Sequence, residues 1–264
     1  MTQITIIPDI PYAATPQREL FLDLRIPKGV KNPPLVMYIP NGGLVGCNRD
    51  WTTWWPTECG FAMASIETRV STEAIAPSTA YDCKAAVRWL RANAGEYGYD
   101  GDRIGAWGHS AGGLLAALLG TSGDASQLEG DGPCLGVSSK VQAVVDQCGA
   151  PHDFSWFARA NIKERFPGVV ENLRRYLGGL VEDVPELARM VSPATYISAT
   201  SAPILIIHGD ADGIVPVEES IEFHRRLVAA GADATLRVLP GIDHGWPAEL
   251  VRDDILAFLQ RTLG

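Results

Sequence analysis

Residues 108–112 read Gly-His-Ser-Ala-Gly and lie between the apolar run "RIGAW" and the Ala/Leu-rich run "LLAALLG". A serine on a sharp turn from strand to helix has its hydroxyl held out at the strand's end. Small neighbours two positions away let the two elements approach closely. Gly108 and Gly112 meet that demand, with Ala111 and Gly113 beside them. Such a serine offers nucleophilic attack on a carbonyl carbon once an imidazole takes its proton. The helix that follows would aim free N–H groups and its positive end at the reacting atom. A plain packing turn explains the glycines as well, so the partners decide.

Where serine chemistry uses this strand–turn–helix, the acid and then the histidine follow the nucleophile in the chain. Of five histidines, His152 and His208 precede the acid candidates, and His224 sits in a helical stretch beside Arg225 and Arg226. His244, in the loop "LPGIDHGWP" after the last β-type run, is the expected base. "HGDADGIVP" offers Asp210 and Asp212. Asp212 is expected to accept the imidazole N–H, fix its tautomer and steady the imidazolium, with Asp210 capping its own turn. Asp243 is expected to diverge from its neighbour's ring. His109, inside the elbow, reads as packed beneath the turn and stays a candidate pocket residue.

A second glycine cluster, "YIPNGGLVGCNR", follows the third β-type run. Bare backbone there suits an oxyanion hole, since side chains would obstruct the developing anion. The expected donors are the N–H groups of Gly43, Leu44 and Ala111, with Gly42 providing the bend. Trp51 in "RDWTTWWP", and Phe154 and Trp156 further on, are candidate pocket residues against a competing reading as core.

These residues need a scaffold that brings distant loops to one edge. Eight β-type runs alternate with helical ones: "ITIIP", "ELFLDLRIP", "PLVMYIP", "FAMASIE", "RIGAWG", "VQAVVDQ", "PILIIHG" and "ATLRVLP". The first two have antiparallel character, and the middle ones are nearly continuously apolar, as in parallel strands covered on both faces. "STAYDCKAAVRWLRANAG" predicts a helix with a Ser cap and a glycine stop, and "VEESIEFHRRLVAAG" another with acids in its first turn. A last helix is expected near Trp246 to Leu263, with Val251, Ile255, Phe258 and Leu259 on one stripe. The expected class is α/β, a mostly parallel eight-stranded sheet flanked by helices. Residues 1–264 would form a single domain, with about 150–200 a small cap-like insert after the sixth strand.

Composition narrows the function classes. The chain has 264 residues, is 46% hydrophobic and 20% charged, and carries a net charge of −9. An acidic balance without a Lys/Arg cluster argues against nucleic acid and anionic membrane as partners. No run has the apolar length of a membrane span. No basic start leads into an apolar stretch, so a cytoplasmic location is expected, with a removed leader left open. Cys47, Cys59, Cys83, Cys134 and Cys148 have irregular spacing and no C-x-x-C pair, which reads as reduced thiols.

The strings "NGG", "DCKAAVRWLRANA", "DRIGAWGHSAGG", "HGDADGIVP" and "DHGW" resemble the α/β-hydrolase superfamily. Within it the chain is similar to hormone-sensitive-lipase-like and bacterial feruloyl-esterase-like carboxylesterases. The resemblance covers most of the chain. Those relatives usually carry His-Gly-Gly-Gly at the oxyanion loop, whereas Asn41 and Leu44 flank the glycine pair here. Their Asp-Tyr-Arg is altered to Glu67-Thr68-Arg69, where Arg69 is expected to form a structural ion pair with Asp82.

The expectation is a serine hydrolase acting on a small-molecule carboxylic ester, of short-chain or aromatic acyl type, through an acyl-enzyme. It implies no metal and no organic cofactor, and leaves homo-oligomerisation open. Two alternatives stand beside it: an amide hydrolase on the same triad, such as an aryl formamidase or a prolyl-oligopeptidase-like peptidase, and a non-catalytic binding protein. Ser110 at the elbow excludes an Asp-nucleophile dehalogenase.

Overall fold

The computed structural model describes residues 3–264, so the first two residues of the leader reading lie outside the described residues. Its main sheet has eight strands: β1 (Ile4–Ala14), β2 (Glu19–Pro27), β3 (Pro34–Ile39), β4 (Ala62–Ile66), β5 (Asp100–His109), β6 (Ala143–Gln147), β7 (Ile204–Gly209) and β8 (Ala234–Leu239). They lie in the order β1-β2-β4-β3-β5-β6-β7-β8. β1 pairs antiparallel with β2 and β2 with β4, and the other pairings are parallel. All eight expected strands are present, as is the mostly parallel class.

The apolar runs follow from burial on both faces. Along β3, Leu35, Met37 and Ile39 face one core while Val36 and Tyr38 face the other. Helices α1 (Ser78–Tyr97), α2 (Ala111–Thr121) and α6 (Val217–Ala229) contribute to the first core. Helix α7 (Arg252–Leu263) covers the second with Ile255, Phe258, Leu259 and Leu263. Each fully buried Leu, Ile or Phe there contributes about 1.5–3 kcal/mol.

Between β6 and β7 lies the insert, with short helices α3 (Ala160–Arg165), α4 (Pro167–Leu177) and α5 (Pro185–Met190) and 3₁₀ turns at Phe154–Ala158 and Pro193–Tyr196. α4 turns Leu173, Tyr176 and Leu177 inward and pairs Glu171 with Arg174 and Arg175 outside. Beyond β4, Arg69 donates from Nη2 and Nε to the buried carboxylate of Asp82 on α1, at 2.7–3.1 Å, which is the expected ion pair.

Register is what serves the site. Ile39 pairs with Gly108, His109 with Gln147, and Leu239 with Gly209. The loops leaving β3, β5, β6, β7 and β8 therefore open at one carboxyl edge, where ligands of open α/β sheets bind.

Candidate active site

β5 ends at His109 and α2 begins at Ala111, so Ser110 is the whole turn between them. Its backbone has φ +57° and ψ −124°, a conformation that costs an L-residue of order 1–3 kcal/mol and persists only when its surroundings impose it. They do. A Cβ at Gly108 would lie 2.2 Å from the backbone of Gly112, and one at Gly112 would lie 2.0 Å from the Ile39 carbonyl oxygen. The Ser110 N–H donates to Gln147 O at 2.8 Å, and Leu114 N–H donates back to Ser110 O at 3.1 Å. The serine is thus pinned between β6 and the first turn of its helix.

His244 Nε2 lies 2.9 Å from Ser110 Oγ, and its Nδ1 lies 2.7 Å from Asp212 Oδ2. A carboxylate only accepts, so Nδ1 carries the proton and Nε2 is left to accept from the serine hydroxyl. Asp212 is buried, and its Oδ1 accepts the N–H groups of Ile214 and Val215, each at 2.8 Å. Burial alone would raise this carboxyl. Hydrogen bonds from His208, His244 and the two amides outweigh it and hold Asp212 well below the usual carboxylate range. The group remains an anion facing the imidazole. Three residues spread over 134 positions converge in this chain.

The neighbouring acids lace the two loops together. Asp210 Oδ1 accepts Gly241 N–H at 2.6 Å, reaching across to the other loop where a cap on its own turn was expected. Asp243 Oδ1 accepts Gly213 N–H at 3.0 Å and His244 N–H at 2.7 Å, so its carboxylate serves backbone.

The glycine loop departs from expectation at one donor. Leu44 is buried, and its N–H donates to Asn41 Oδ1 at 3.0 Å, which removes it from the candidate hole. The Asn at that position closes a turn inside the loop, a use of its side chain that the spacing alone did not reveal. Gly43, at φ +57°, remains. A Cβ there would come within 2.6 Å of Asn172 Nδ2, so α4 of the insert sits directly against the loop. Ala111 stands at the start of α2, ahead of its first intrahelical bond.

Expected pocket residues separate. His109 donates from Nε2 to His244 O at 2.8 Å, and its ring meets His244 and Trp246 edge-on, so it supports the base loop. Phe154 has no accessible surface and stacks near Tyr176 in the core, which rules it out as lining for an open pocket. Trp156 is partly buried, edge-on to Phe157 and under Arg159. Trp51 is 54% exposed, with its ring against Gly42 and Gly46 of the glycine loop. A cavity of about 160 Å³ lies behind the base loop, lined by Trp55, Trp107, His109 and Trp246 among others.

One group among the described residues has metal-ligating donors together: His109, Cys148 and His244, within 4.8 Å of one another. Those atoms are committed elsewhere. Cys148 Sγ sits 3.2 Å from His109 Nε2, which itself bonds the His244 carbonyl, and burial pushes the thiol well up. All five cysteines are free. Among the described residues no helix is long and apolar enough to cross a membrane.

Sequence reasoning missed His208, Cys148 and Asn172. His208 carried a signal, standing at a strand's end two residues before the acid candidates, but chain order removed it as a base and no other part suggested itself. Cys148 and Asn172 carried none.

Against known proteins, the family model described as BD-FAE matches residues 22–227. The chain is 31% identical to "Esterase LipC" of Mycobacterium tuberculosis over 82% of its length and 54% of the relative's. It is 30% identical to "Esterase LipQ" of the same organism over 94% of its length and 59% of that protein's. The chain thus spans a little over half the length of these relatives. Among solved structures, a "Truncated form of carbohydrate esterase from gut microbiota" superposes with a TM-score of 0.83 at 28% identity, covering 98% of this chain and 96% of that one.

Proposed function

The chain belongs to the BD-FAE family, and from that premise we propose that it is a serine carboxylesterase of the α/β-hydrolase fold. The observation that carries the reading is the chain of hydrogen bonds from Ser110 Oγ through His244 to Asp212, at 2.9 and 2.7 Å. Ser110 attacks the ester carbonyl as His244 Nε2 takes its proton, and Asp212 steadies the imidazolium. The N–H groups of Gly43 and Ala111 receive the oxyanion; such donors are worth about 2.7–4 kcal/mol each in comparable enzymes. His244 returns the proton to the departing alcohol, then activates the water that releases the acid.

Residues 1–264 act as one domain in this reading, with the insert at about 150–200 as a small cap that meets the hole through Asn172. Trp51, exposed on the glycine loop, offers a flat apolar face to the substrate. The names of the relatives, esterases, and of the superposed structure, a carbohydrate esterase, make simple esters and carbohydrate esters the first substrates to try.

The test compares wild type with Ser110→Ala on p-nitrophenyl acetate and butyrate, an acetylated sugar, a feruloyl ester and an N-formyl aryl amide. We expect ester turnover by wild type, a loss of at least about 10⁴-fold in kcat in the variant, and slower amide cleavage. Equal, slow product release by both proteins contradicts the reading and leaves a binding protein. Preference for the amide makes the enzyme an amidase on the same residues.

A further inference from the structure

His208 is the penultimate residue of β7 and has no accessible surface. Its Nε2 stands 3.1 Å from Asp212 Oδ2 and 3.2 Å from Val215 O, and its Nδ1 stands 2.7 Å from Ser220 Oγ on α6. Both groups near Nε2 accept only, so in the neutral ring the proton resides there, and Nδ1 accepts the Ser220 hydroxyl proton. Asp212 Oδ2 therefore faces two imidazoles, His244 at 2.7 Å and His208 at 3.1 Å.

We propose that His208, set by Ser220, is a positioning residue: it fixes the carboxylate of Asp212 and tempers its pull on the His244 imidazolium. The inference rests on the esterase reading of Ser110, Asp212 and His244. Three observations carry it. The order Ser220–His208–Asp212–His244–Ser110 is a continuous series of contacts at 3.1 Å or less, in which the one Nε2 proton of His208 bonds Val215 O at 3.2 Å as it faces Asp212 Oδ2. Asp212 comes from a loop, and a loop carboxylate needs fixed partners to hold an imidazole to the sub-ångström tolerance of proton transfer. The two amides hold Oδ1 alone, so His208 is the group that sets Oδ2 apart from the base itself.

A donor on a carboxylate disperses its charge, and removing that donor makes the carboxylate grip an adjacent imidazolium more strongly. The acid limb of the kcat/KM profile should then move to higher pH. Other titratable groups around this pair are His109 on the elbow, Cys148 and Asp146 at the end of β6, Glu219 beside Ser220 on α6, and Asp243 on the base's own loop. None of them is altered in the test.

The experiment measures kcat, KM and the pH profile of kcat/KM on p-nitrophenyl butyrate for wild type, His208→Phe and His208→Gln. Gln places an N–H near the position of Nε2. For H208F we expect kcat to fall about 10- to 100-fold, with KM within about threefold. We expect its acid limb to rise by about half a pH unit. H208Q should recover most of both. Wild-type kcat and an unmoved limb in H208F overturn the inference, as does a Gln variant that recovers nothing Phe has lost. Should H208F fail to fold, Ser220→Ala carries the test: a several-fold loss with the same direction of shift supports it, and an unchanged profile overturns it. An inactive wild type would instead refute the esterase reading, so the two failures are distinguishable.

Discussion

His109 holds the loop of the base from beneath, through one bond from its Nε2 to the His244 carbonyl. Burial and the neighbouring His244 depress its own protonation, so it remains a neutral ring with a fixed donor. Replacing it with Ala should lower kcat about tenfold and leave KM within about threefold, because the base loses its support while substrate contacts stay. Steady-state kinetics on p-nitrophenyl butyrate check this. A raised KM with unchanged kcat would instead place His109 in the pocket wall, the lesser of the two readings the sequence offered. At this scale the candidate nucleophile, acid and base could be picked out because spacing, chain order and flanking elements narrow each to one or two residues. The roles of His109 and Leu44 were not, since each depends on a contact that spacing does not encode. For His109 that contact lies 135 residues away.

The root of the insert joins three elements around one buried ring. His152 Nε2 lies 2.6 Å from Asp146 Oδ2 on β6, its ring stacks on Phe223 of α6 at 4.1 Å, and its backbone N–H donates to Glu219 Oε2 at 2.8 Å. Burial raises the Glu219 carboxyl from 4.5 to about 7. A carboxyl held protonated by the fold favours the folded state fully below its unfolded value. That contribution is lost as pH rises from about 4.5 through 7, up to about 3 kcal/mol in all. Glu219→Gln should therefore flatten the fall in stability between pH 5 and 8, read as urea midpoints across that range. Parallel slopes for wild type and variant would contradict it.

Element existence was legible here because apolar runs and periodicity record burial, whereas ends record local stops. α1 passes the expected stop at Gly95 and ends at Tyr97, where Gly98 takes a left-handed conformation; Ser78, the expected cap, lies inside its first turn behind Pro77. α7 begins at Arg252 instead of near Trp246, because Pro247 opens a short 3₁₀ turn first. Lys84 and Arg88 lie on α1, and sequence reasoning assigned them no part. Both are buried, anchored to Glu129 in a loop that gave no warning of the pairing.

Across the whole molecule, parallel register does the assembling: five loops leave the same edge of one sheet, and three of them carry Ser110, Asp212 and His244 to one point. That architecture could be read from the alternation of strand and helix, because parallel strands buried on both faces leave continuous apolar runs. The path of the insert could not, since α3 and α5 span only six residues each, and a contact such as that of Asn172 with Gly43 of the glycine loop leaves no mark in the spacing. The central claim is that this convergence makes one serine nucleophilic. The most direct measurement is reaction with a fluorophosphonate followed by peptide mass mapping, with ester hydrolysis monitored in parallel. The account predicts a single stoichiometric adduct on the peptide bearing Ser110, appearing as activity disappears. Full activity after complete modification of Ser110, or inactivation with the adduct on another residue, would contradict it.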